Sequence, residues 1–272
     1  MFGNVIKIVV AATLLIAVDM VFEVNFPVVR EINIDTEKLK QGEEVTLLQV
    51  TDFHGGASAE IVQRLIKALG NIKLDAVLIT GDLVDRSTED FDNVYALVSE
   101  LRSICPSVFF VSGNHEWSND RRKDLLIKLK DMGVVILNNK GSTFAARSAD
   151  INICGVDDAY GRRDNIEKAM KSVNSNKYIV LLSHSPKIRQ RLGHYSPDLI
   201  ICGHTHGGQV RFPFIGAIIE PGEDLFPHFD KGMFKLKENS LLYIDSGVGT
   251  SKLPIRFLNR SQVSVIRIVS RR

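Results

Sequence analysis

Five short apolar segments of this sequence end in residues that can bind metal ions. The polar residues that follow them are Asp52 and His54 after VTLLQVT, Asp82 after DAVLIT, Asn114 after SVFFVS, His184 after YIVLLS, and His204 and His206 after DLIICG. Two carboxylates, one amide oxygen and four imidazoles, with no thiolate, form a donor set that suits Mn, Fe or Zn. Seven donors exceed the four that one tetrahedral site uses. They therefore predict two divalent metal ions, the arrangement typical of in-line displacement at phosphorus.

Each motif has a plainer interpretation when it is taken alone. Asp52 could cap the loop that follows it, GDLVD could be a turn with a capping aspartate, and His184 could be an ordinary core or surface histidine. The two histidines of GHTHGG could lie in a flexible loop. All five motifs nevertheless follow apolar segments of one chain, and this joint pattern favours a single site.

The apolar segments have the composition of strands that are buried on both faces. They are rich in Val, Ile and Leu, and INICGV and LLYIDS share this composition. Helical periodicity appears between them at 59–69, 90–104 and 119–132, so the alternation predicts an α/β domain. Ligands bind beyond the carboxyl ends of the strands in such sheets. We therefore expect the polar residues to meet in one crevice.

The composition is that of a globular chain with one catalytic domain. The chain has 272 residues, 44% of them hydrophobic, and a formal net charge of +2. Its basic residues are spread along the chain and give no indication of nucleic acid binding or of an obligate protein partner. We expect the catalytic domain to cover residues 25–272 and to open with an edge strand. The odd number of cysteines excludes a disulfide framework and predicts buried thiols at Cys105, Cys154 and Cys202.

Residues 1–24 contain an apolar run at 8–18 that follows a single basic residue, Lys7. The run has the length of a signal-peptide core and is shorter than the roughly twenty residues of a membrane span. No small-x-small cleavage site follows it, so we interpret 1–24 as a hydrophobic signal anchor, with a buried domain helix as the alternative. Lys7 is the only charge before the run, and Asp19 and Glu23 follow it, so the positive-inside bias predicts a cell-membrane protein whose catalytic domain is extracytoplasmic.

The motif series D-x-H, G-D-x-x-D, G-N-H-E, H and G-H-x-H resembles that of the calcineurin-like metallophosphoesterases, and every ligand position is retained. GHTHGGQVRFP and SGVGTSKLPIRFLNR, together with the apolar N-terminus, are similar to the membrane-anchored bacterial branch typified by YkuE and YaeI. The resemblance implies a four-layer αββα sandwich with an N-terminal anchor helix. The chain has Phe53 where many relatives have Leu, and we expect this side chain to point into the core.

The resemblance also implies a role for each residue of the site. The first metal would take Asp52, His54, Asp82 and His206, and the second would take Asp82, Asn114, His184 and His204, so that Asp82 bridges them. His115 is not a ligand in the family and would act as general acid or as an electrostatic stabiliser beside the leaving-group oxygen. Asp85 and Glu116 would hold a histidine and the metal loops in place.

The function implied by this resemblance is two-metal-dependent hydrolysis of a phosphodiester or pyrophosphate bond, in a lipid or cell-envelope substrate. A phosphomonoesterase is the alternative within this class. A non-catalytic protein-binding scaffold is the alternative outside it, and the intact ligand set disfavours it. Arg211, Lys252 and Arg256 are candidates for binding the phosphate, and each could instead be a solvated surface cation.

The segment 211–231 carries a group of apolar residues, which are Phe212, Phe214, Ile215, Phe226 and Phe229. They predict an apolar rim that is able to meet a lipid or a bilayer. The alternative is that they pack this long loop against the core.

Overall fold

The chain folds around two large β-sheets. The computed structural model describes residues 2–56, 59–218, 225–236, 240–250 and 255–271. Its strands are β1 (Val28–Thr36), β2 (Glu44–Val50), β3 (Ala76–Ile79), β4 (Val108–Phe110), β5 (Val135–Ile136), β6 (Lys140–Ala145), β7 (Asp150–Gly155), β8 (Ile179–Leu182), β9 (Leu199–Cys202), β10 (Arg211–Phe212), β11 (Gly216–Ala217), β12 (Gly232–Lys235), β13 (Leu241–Ile244) and β14 (Gln262–Ser270). Its helices are α1 (Phe2–Asn25), α2 (Ala59–Leu69), α3 (Asp92–Ile104), α4 (Asn114–Ser118), α5 (Arg122–Asp131) and α6 (Ile166–Met170), with 3₁₀ helices at Pro186–Gln190 and His206–Gly208.

The strand order determines where the ligand motifs lie. The first sheet has the order β1-β14-β2-β3-β4-β5, and the second has the order β12-β13-β9-β8-β7-β6. Strands β2 to β5 run parallel to one another, as do β7, β8, β9 and β13. Parallel strands place their carboxyl ends at one edge of a sheet, and the ligand motifs follow β2, β3, β4, β8 and β9 at that edge.

Three apolar clusters separate four layers. The middle cluster lies between the sheets, where Leu47 and Ile266 of the first sheet pack with Ile151 and Leu199 of the second. The outer face of the first sheet is covered by α2, α3 and α5, and that of the second sheet by α6 and the first 3₁₀ helix. The protein is therefore an αββα sandwich, as the family resemblance implied, and the α/β domain predicted from the alternating segments is confirmed.

The predicted elements agree closely with the observed ones. Helix α2 has the predicted bounds, α3 begins two residues later than predicted, and α5 ends just before Gly133. Gly133 has φ +78°, the left-handed conformation that commonly closes a helix. Strand β1 is the edge strand expected near the start of the domain. Phe53 and all three cysteines are buried, and the cysteines are free thiols, as predicted.

Helix α1 is longer than the apolar run within it. It has 24 residues, lies near the N-terminus, and is long and apolar enough to cross a membrane, with a mean hydropathy of 2.5. At 1.5 Å per residue it is about 36 Å long, against roughly 30 Å for the hydrocarbon core of a bilayer. All its residues are exposed or half-buried. The alternative of a buried domain helix is therefore wrong.

The end of α1 is attached to the body of the protein. The backbone N–H of Ser261 donates to the carbonyl of Glu23 at 2.9 Å. The Arg64 guanidinium lies 4.4 Å from the centre of the Phe26 ring, and that of Arg260 lies 4.6 Å from the Phe22 ring. The last turn of α1 is thus held against the loop that precedes β14.

Candidate metal centre

All seven predicted ligands lie within a few residues of a strand end, five of them in loops, Asn114 at the start of α4 and His206 at the start of the second 3₁₀ helix. β2 ends at Val50, two residues before Asp52, and β8 ends at Leu182, two residues before His184. Six of the seven are buried, namely Asp52, His54, Asp82, His184, His204 and His206, and Asn114 is half-buried. The strand ends bring six of these residues into two groups of three, and Asn114 stays a predicted ligand.

The backbone of the ligand loops is unusual. Five non-glycine ligands have φ between 50° and 75°, namely Asp52, His54, Asp82, His204 and His206. Left-handed backbone crowds the Cβ atom of such residues, so it is uncommon and costs free energy. Strain of this kind persists only where the surroundings enforce it, and it is concentrated at functional sites.

The first group of donors consists of Asp52, His54 and His206, whose ligand atoms lie within 4.8 Å of one another. Nε2 of His54 is 3.1 Å from Nε2 of His206, and Asp52 Oδ1 is 3.5 Å from the latter atom. Two imidazole nitrogens on one tetrahedral cation would be about 3.3 Å apart at ordinary metal–nitrogen distances. The spacing therefore fits a shared divalent metal.

The second group consists of Asp82, His184 and His204. Nε2 of His184 is 3.0 Å from Asp82 Oδ2 and 3.1 Å from His204 Nδ1. Nδ1 of His184 lies 2.9 Å from the carbonyl oxygen of Thr80, which fixes the ring and turns its other nitrogen toward the group. Asn114 is the fourth ligand that the family resemblance implies for this second metal.

Several buried side-chain nitrogen and oxygen atoms at this site have no hydrogen-bond partner among the described residues. They are His54 Nδ1, Asn114 Oδ1, His204 Nε2 and His206 Nδ1. Leaving such atoms unpaired in the interior costs free energy, and buried polar groups are otherwise almost always satisfied. A metal ion bound by Asn114 would satisfy its Oδ1, whereas the three unpaired nitrogens belong to rings whose other nitrogen faces a donor group. The types and spacing of the donors thus fit the predicted metals.

Opposite charges are held together in the second group. Burial favours the neutral form of Asp82, but the adjacent His184 imidazolium holds the pKa of Asp82 well below its usual range. Burial likewise disfavours the charged form of His184, yet Asp82 raises its pKa to about 10. Burial and the His184 charge lower the pKa of His204 to about 3, so this ring is neutral and keeps a nitrogen lone pair for a cation.

Glu116 supports the loop that carries Asp82. Its buried carboxylate accepts backbone N–H bonds from Asp82 at 2.9 Å, from Leu83 at 2.6 Å and from Gly113 at 2.6 Å. One side chain therefore joins the loops after β3 and β4. Asp52 joins its loop to the second sheet in the same way, because it accepts the His204 N–H at 3.0 Å.

His115 is placed beside the ligands and faces solvent. Its Nδ1 is 2.5 Å from Asp85 Oδ1, and its Nε2 is 4.0 Å from Asp82 Oδ2. Its side chain is 23% exposed, whereas those of the histidines in the two donor groups are almost completely buried. Asp85 therefore orients the ring, and Nε2 is the nitrogen that faces Asp82.

Tyr160 was not singled out from the sequence. Its ring lies 4.8 Å from that of His204, and the Lys187 ammonium is 4.6 Å from the Tyr160 ring. Tyr160 follows β7, which ends at the same edge of the second sheet as β8 and β9. The strand-end rule that identified the ligands could have included it, but a lone tyrosine in a loop carries no motif.

The phosphate-binding candidates lie in different surroundings. Arg256 is completely buried, and its guanidinium donates to the carbonyls of Ser246 and Gly249 at 2.6 Å. Arg256 is therefore not the solvated surface cation given as the alternative, and it supports the 246–249 loop. Arg211 donates to Asp230 Oδ2 and to the Gly207 carbonyl, both at 2.8 Å, next to the ligand loop. Lys252 lies outside the described residues.

The fold and the two buried donor groups define a metal-dependent hydrolase. The family model of the calcineurin-like phosphoesterases matches residues 45–208, which is more than half of the chain and contains every predicted ligand. The chain therefore belongs to the calcineurin-like phosphoesterase family.

Curated relatives are similar over most of the chain. An uncharacterized metallophosphoesterase of Aquifex aeolicus is 32% identical over 90% of this chain and 93% of its own length. A Helicobacter pylori relative with the same description is 32% identical over 89% of the chain, which spans only 64% of that protein. The uncharacterized metallophosphoesterase YkuE of Bacillus subtilis is 25% identical over 82% of the chain and 79% of its own length. The bacterial branch indicated by the sequence is thus represented among the relatives.

Proposed function

We propose that this chain is a membrane-anchored phosphoesterase that uses two divalent metal ions to hydrolyse a phosphodiester or pyrophosphate bond. The observation that carries the proposal is the pair of buried donor groups, Asp52 with His54 and His206, and Asp82 with His184 and His204, at the carboxyl ends of the strands. The first metal is assigned to Asp52, His54, Asp82 and His206, and the second to Asp82, Asn114, His184 and His204. When bound, such ions supply positive charge at phosphorus and acidify water for in-line attack.

The chain's own residues complete the chemistry. In the proposed role, His115 Nε2 donates a proton to the leaving-group oxygen, and the Asp85 carboxylate stabilises the imidazolium through Nδ1. Glu116 and the Thr80 carbonyl keep Asp82 and His184 in place through the bonds described above. Arg211 is retained as a weak candidate for holding the phosphate, because its anchor, the Gly207 carbonyl, directly follows His206.

A lipid or cell-envelope substrate is supported by a cavity beside the site. The cavity has a volume of about 200 Å³, and its lining includes His54 and Asp85 on the polar side and Val24, Ile61 and Val248 on the apolar side. Val24 belongs to the last turn of α1, so an apolar group of the substrate that enters here would come from the direction of the anchor. A phosphomonoesterase remains the alternative within the class.

The two-metal assignment is tested with the full-length protein purified in detergent. We expect about two Mn, Fe or Zn per chain by elemental analysis and hydrolysis of bis-p-nitrophenyl phosphate. The Asp82→Asn variant is expected to lose metal from both positions and nearly all activity. Metal-loaded wild-type protein that cleaves no generic phosphoester would refute the enzyme proposal and favour a binding scaffold.

The His115→Ala variant separates acid catalysis from metal binding. We expect it to keep its metal content and to lose activity by about 100-fold, most strongly with poor leaving groups, because those need protonation most. Bis-p-nitrophenyl phosphate and a dialkyl phosphate are the matched substrates. Equal loss of metal in the Asp82 and His115 variants would contradict the division of roles.

The substrate class is tested with pairs of phosphodiesters that differ only in an acyl chain, and with the matching monoesters. We expect kcat/KM to rise with the acyl chain and to be larger for diesters than for monoesters. A larger kcat/KM for the monoesters than for the diesters would establish that the protein is a phosphomonoesterase. The proposed extracytoplasmic orientation rests on Lys7 and is tested by protease treatment of spheroplasts, which would spare a cytoplasmic domain.

A further inference from the structure

The hairpin that follows the last ligand loop exposes a cluster of large apolar side chains. We call Phe212, Phe214, Ile215, Leu225 and Phe226 the apolar tip. All five are exposed, and Phe214 has no cover at all. Phe226 lies next to the hairpin because its N–H donates to the carbonyl of Ile218 at 2.9 Å. Single exposed apolar residues are ordinary, but a contiguous group of this size marks a surface that meets an apolar partner.

Phe229, the other aromatic residue that the sequence placed in the apolar rim of segment 211–231, is not part of the apolar tip. The Phe229 ring lies 5.0 Å from that of Phe234, and Phe229 packs against the apolar cluster on the outer face of the second sheet. The rim expected from the sequence is thus divided. Phe229 packs the segment against the core, while Phe212, Phe214, Ile215 and Phe226 are left to solvent.

The apolar tip is connected to the end of α1 by one short segment. Phe257 contacts the hairpin, since its carbonyl accepts the Arg211 N–H at 3.0 Å and its ring lies 5.8 Å from that of Phe212. Four residues later, Ser261 is bonded to the last turn of α1. Four residues span at most about 14 Å. The base of the hairpin therefore lies close to the point where α1 leaves the body of the protein.

The end of α1 has the composition of a membrane interface. Phe22 and Phe26 stack with ring centres 4.9 Å apart, and each carries an arginine, Arg260 and Arg64 respectively, over its ring. Aromatic rings are enriched at the level of the lipid headgroups, and arginines there attract anionic headgroups. A bilayer crossed by α1 would thus have its surface at the level of these residues, near the hairpin.

We propose that the apolar tip inserts into the surface of the same bilayer that α1 crosses, as a second membrane contact of the protein. The occupant of the exposed cluster is the acyl region of the lipid, and Leu258, which is exposed beside Phe257, extends the contact toward α1. This inference rests on the proposed anchoring by α1. The second contact fixes the orientation of the catalytic domain relative to the bilayer. Anchoring by α1 alone would leave that orientation free, because the helix is joined to the domain at one end.

The insertion also fixes the metal centre relative to the membrane. The hairpin begins five residues after His206, and Arg211 at its start is bonded to the Gly207 carbonyl and to Asp230. Ala217 on the second strand donates its N–H to the same Asp230 carboxylate at 3.0 Å. The Thr205 hydroxyl of the ligand loop donates to the Asp230 carbonyl, so both strands of the hairpin are tied to that loop, and insertion of the tip holds the metal centre near the lipid headgroups.

The test uses the full-length protein in liposomes of phosphatidylethanolamine and phosphatidylglycerol. A spin label is attached through Phe214→Cys or, as the matched control, through Ile127→Cys on α5. Ile127, like Phe214, is an exposed large apolar residue, and the three native cysteines are buried. Collision with oxygen, which concentrates in lipid, is compared with collision with a water-soluble nickel chelate.

We expect the label at position 214 to prefer oxygen several-fold more than the label at position 127 does. Equal preference at the two positions in protein that floats with the liposomes would overturn the inference and leave α1 as an anchor. Failure of the protein to float would overturn the anchoring and this inference together. Spin–spin broadening that grows with the protein-to-lipid ratio would show that a second copy of the chain covers the tip, which would also overturn it.

A functional measurement separates this inference from the proposed chemistry. The double variant Phe214→Asp with Phe226→Asp is expected to hydrolyse bis-p-nitrophenyl phosphate at the wild-type rate. Its rate on an acylated phosphodiester embedded in liposomes is expected to fall by about 10-fold, because the metal centre is no longer held at the headgroups. An unchanged rate of the double variant on the embedded substrate would contradict insertion of the apolar tip. Absence of both activities in the wild-type protein would instead contradict the proposed function.

Discussion

The carboxylates of the two donor groups are packed against glycine backbone. A Cβ atom on Gly203 would overlap Asp52 Oδ2 and Thr51 Oγ1, and one on Gly113 would overlap Asp82 Oδ1. Neither glycine has a positive φ, so space and not backbone conformation requires glycine there. The glycines of G-N-H-E and G-H-x-H therefore act by letting the carboxylates approach the neighbouring loop.

The Gly203→Ala substitution tests this close approach. We expect it to displace the Asp52 carboxylate, to lower the metal content of the first position and to reduce activity by about 100-fold, since displacements near 1 Å can cost that much. Gly56→Ala is the matched control, because its Cβ would have 3.9 Å to the nearest atom. Metal content and kcat/KM are measured for both variants, and equal behaviour would contradict the steric explanation.

At this scale the sequence was informative where residues stand next to a strand end. The seven predicted ligands could be singled out because motif and strand adjoin in the chain, and the role proposed for His115 came from the family resemblance. The support of Arg256 by four surrounding carbonyls could not be foreseen, because it depends on how the 246–259 segment folds back on itself. A conformation created by the fold leaves no local signal in the sequence.

Asp75 joins elements of both sheets at the end opposite to the ligands. Its carboxylate accepts the Thr46 N–H at 2.8 Å within the first sheet and Arg147 Nε at 2.7 Å from the connection between β6 and β7. Burial favours the neutral carboxyl group, but the bonds from Arg147 and Thr46 outweigh this and hold the pKa of Asp75 below its usual value. Asp75 thus contributes to stability in its charged form.

The Arg147→Met substitution is expected to lower the free energy of unfolding by about 1–2 kcal/mol at neutral pH. The pKa of Asp75 is lower in the folded state, so this contribution is complete above the unfolded value of about 3.9 and is lost as the pH falls through the folded value. Thermal unfolding of wild type and variant should therefore converge in acid.

Lys177→Met is the control for this prediction, because it removes an ion pair with Asp150 that is much more exposed on the acidic side. We expect it to cost well under about 1 kcal/mol. A loss as large as that of Arg147→Met, or a difference between Arg147→Met and wild type that persists in acid, would contradict the role given to Asp75.

The helices and strands could be predicted where the sequence has a clear local pattern of apolar residues. The buried strands and the helices α2, α3 and α5 have clear periodicity. Helix α4 was missed because G-N-H-E has the composition of a turn, and its helical form depends on Glu116 bonds to distant loops. The placing of β14 between β1 and β2 is a long-range pairing, which no local pattern specifies.

In the molecule as a whole, the predicted ligands come from both sheets. Asp52, His54, Asp82 and Asn114 follow strands of the first sheet, whereas His184, His204 and His206 follow strands of the second. Each proposed metal takes ligands from both sets, so the two ions would connect the sheets at one edge of the sandwich. Binding that is specific to the folded state adds directly to its stability.

Removal of metal is therefore expected to loosen the sandwich. Two sites each held at about 100 times their Kd would contribute roughly 5 kcal/mol, so dialysis against a chelator should lower the melting temperature by about 10 °C or more. Added Mn should restore it, and Asp82→Asn should show little response to either treatment. The same melting temperature with and without metal would contradict a connection between the sheets.

The left-handed backbone at five ligand positions has a consequence for how such a chain changes over generations. Conformations of this kind cost on the order of 1 kcal/mol or more each, and glycine adopts them without that cost. Selection for stability alone would therefore replace Asp52, His54, Asp82, His204 and His206. A descendant released from catalysis is expected to drift first at these positions, and to melt at a higher temperature than its metal-free ancestor.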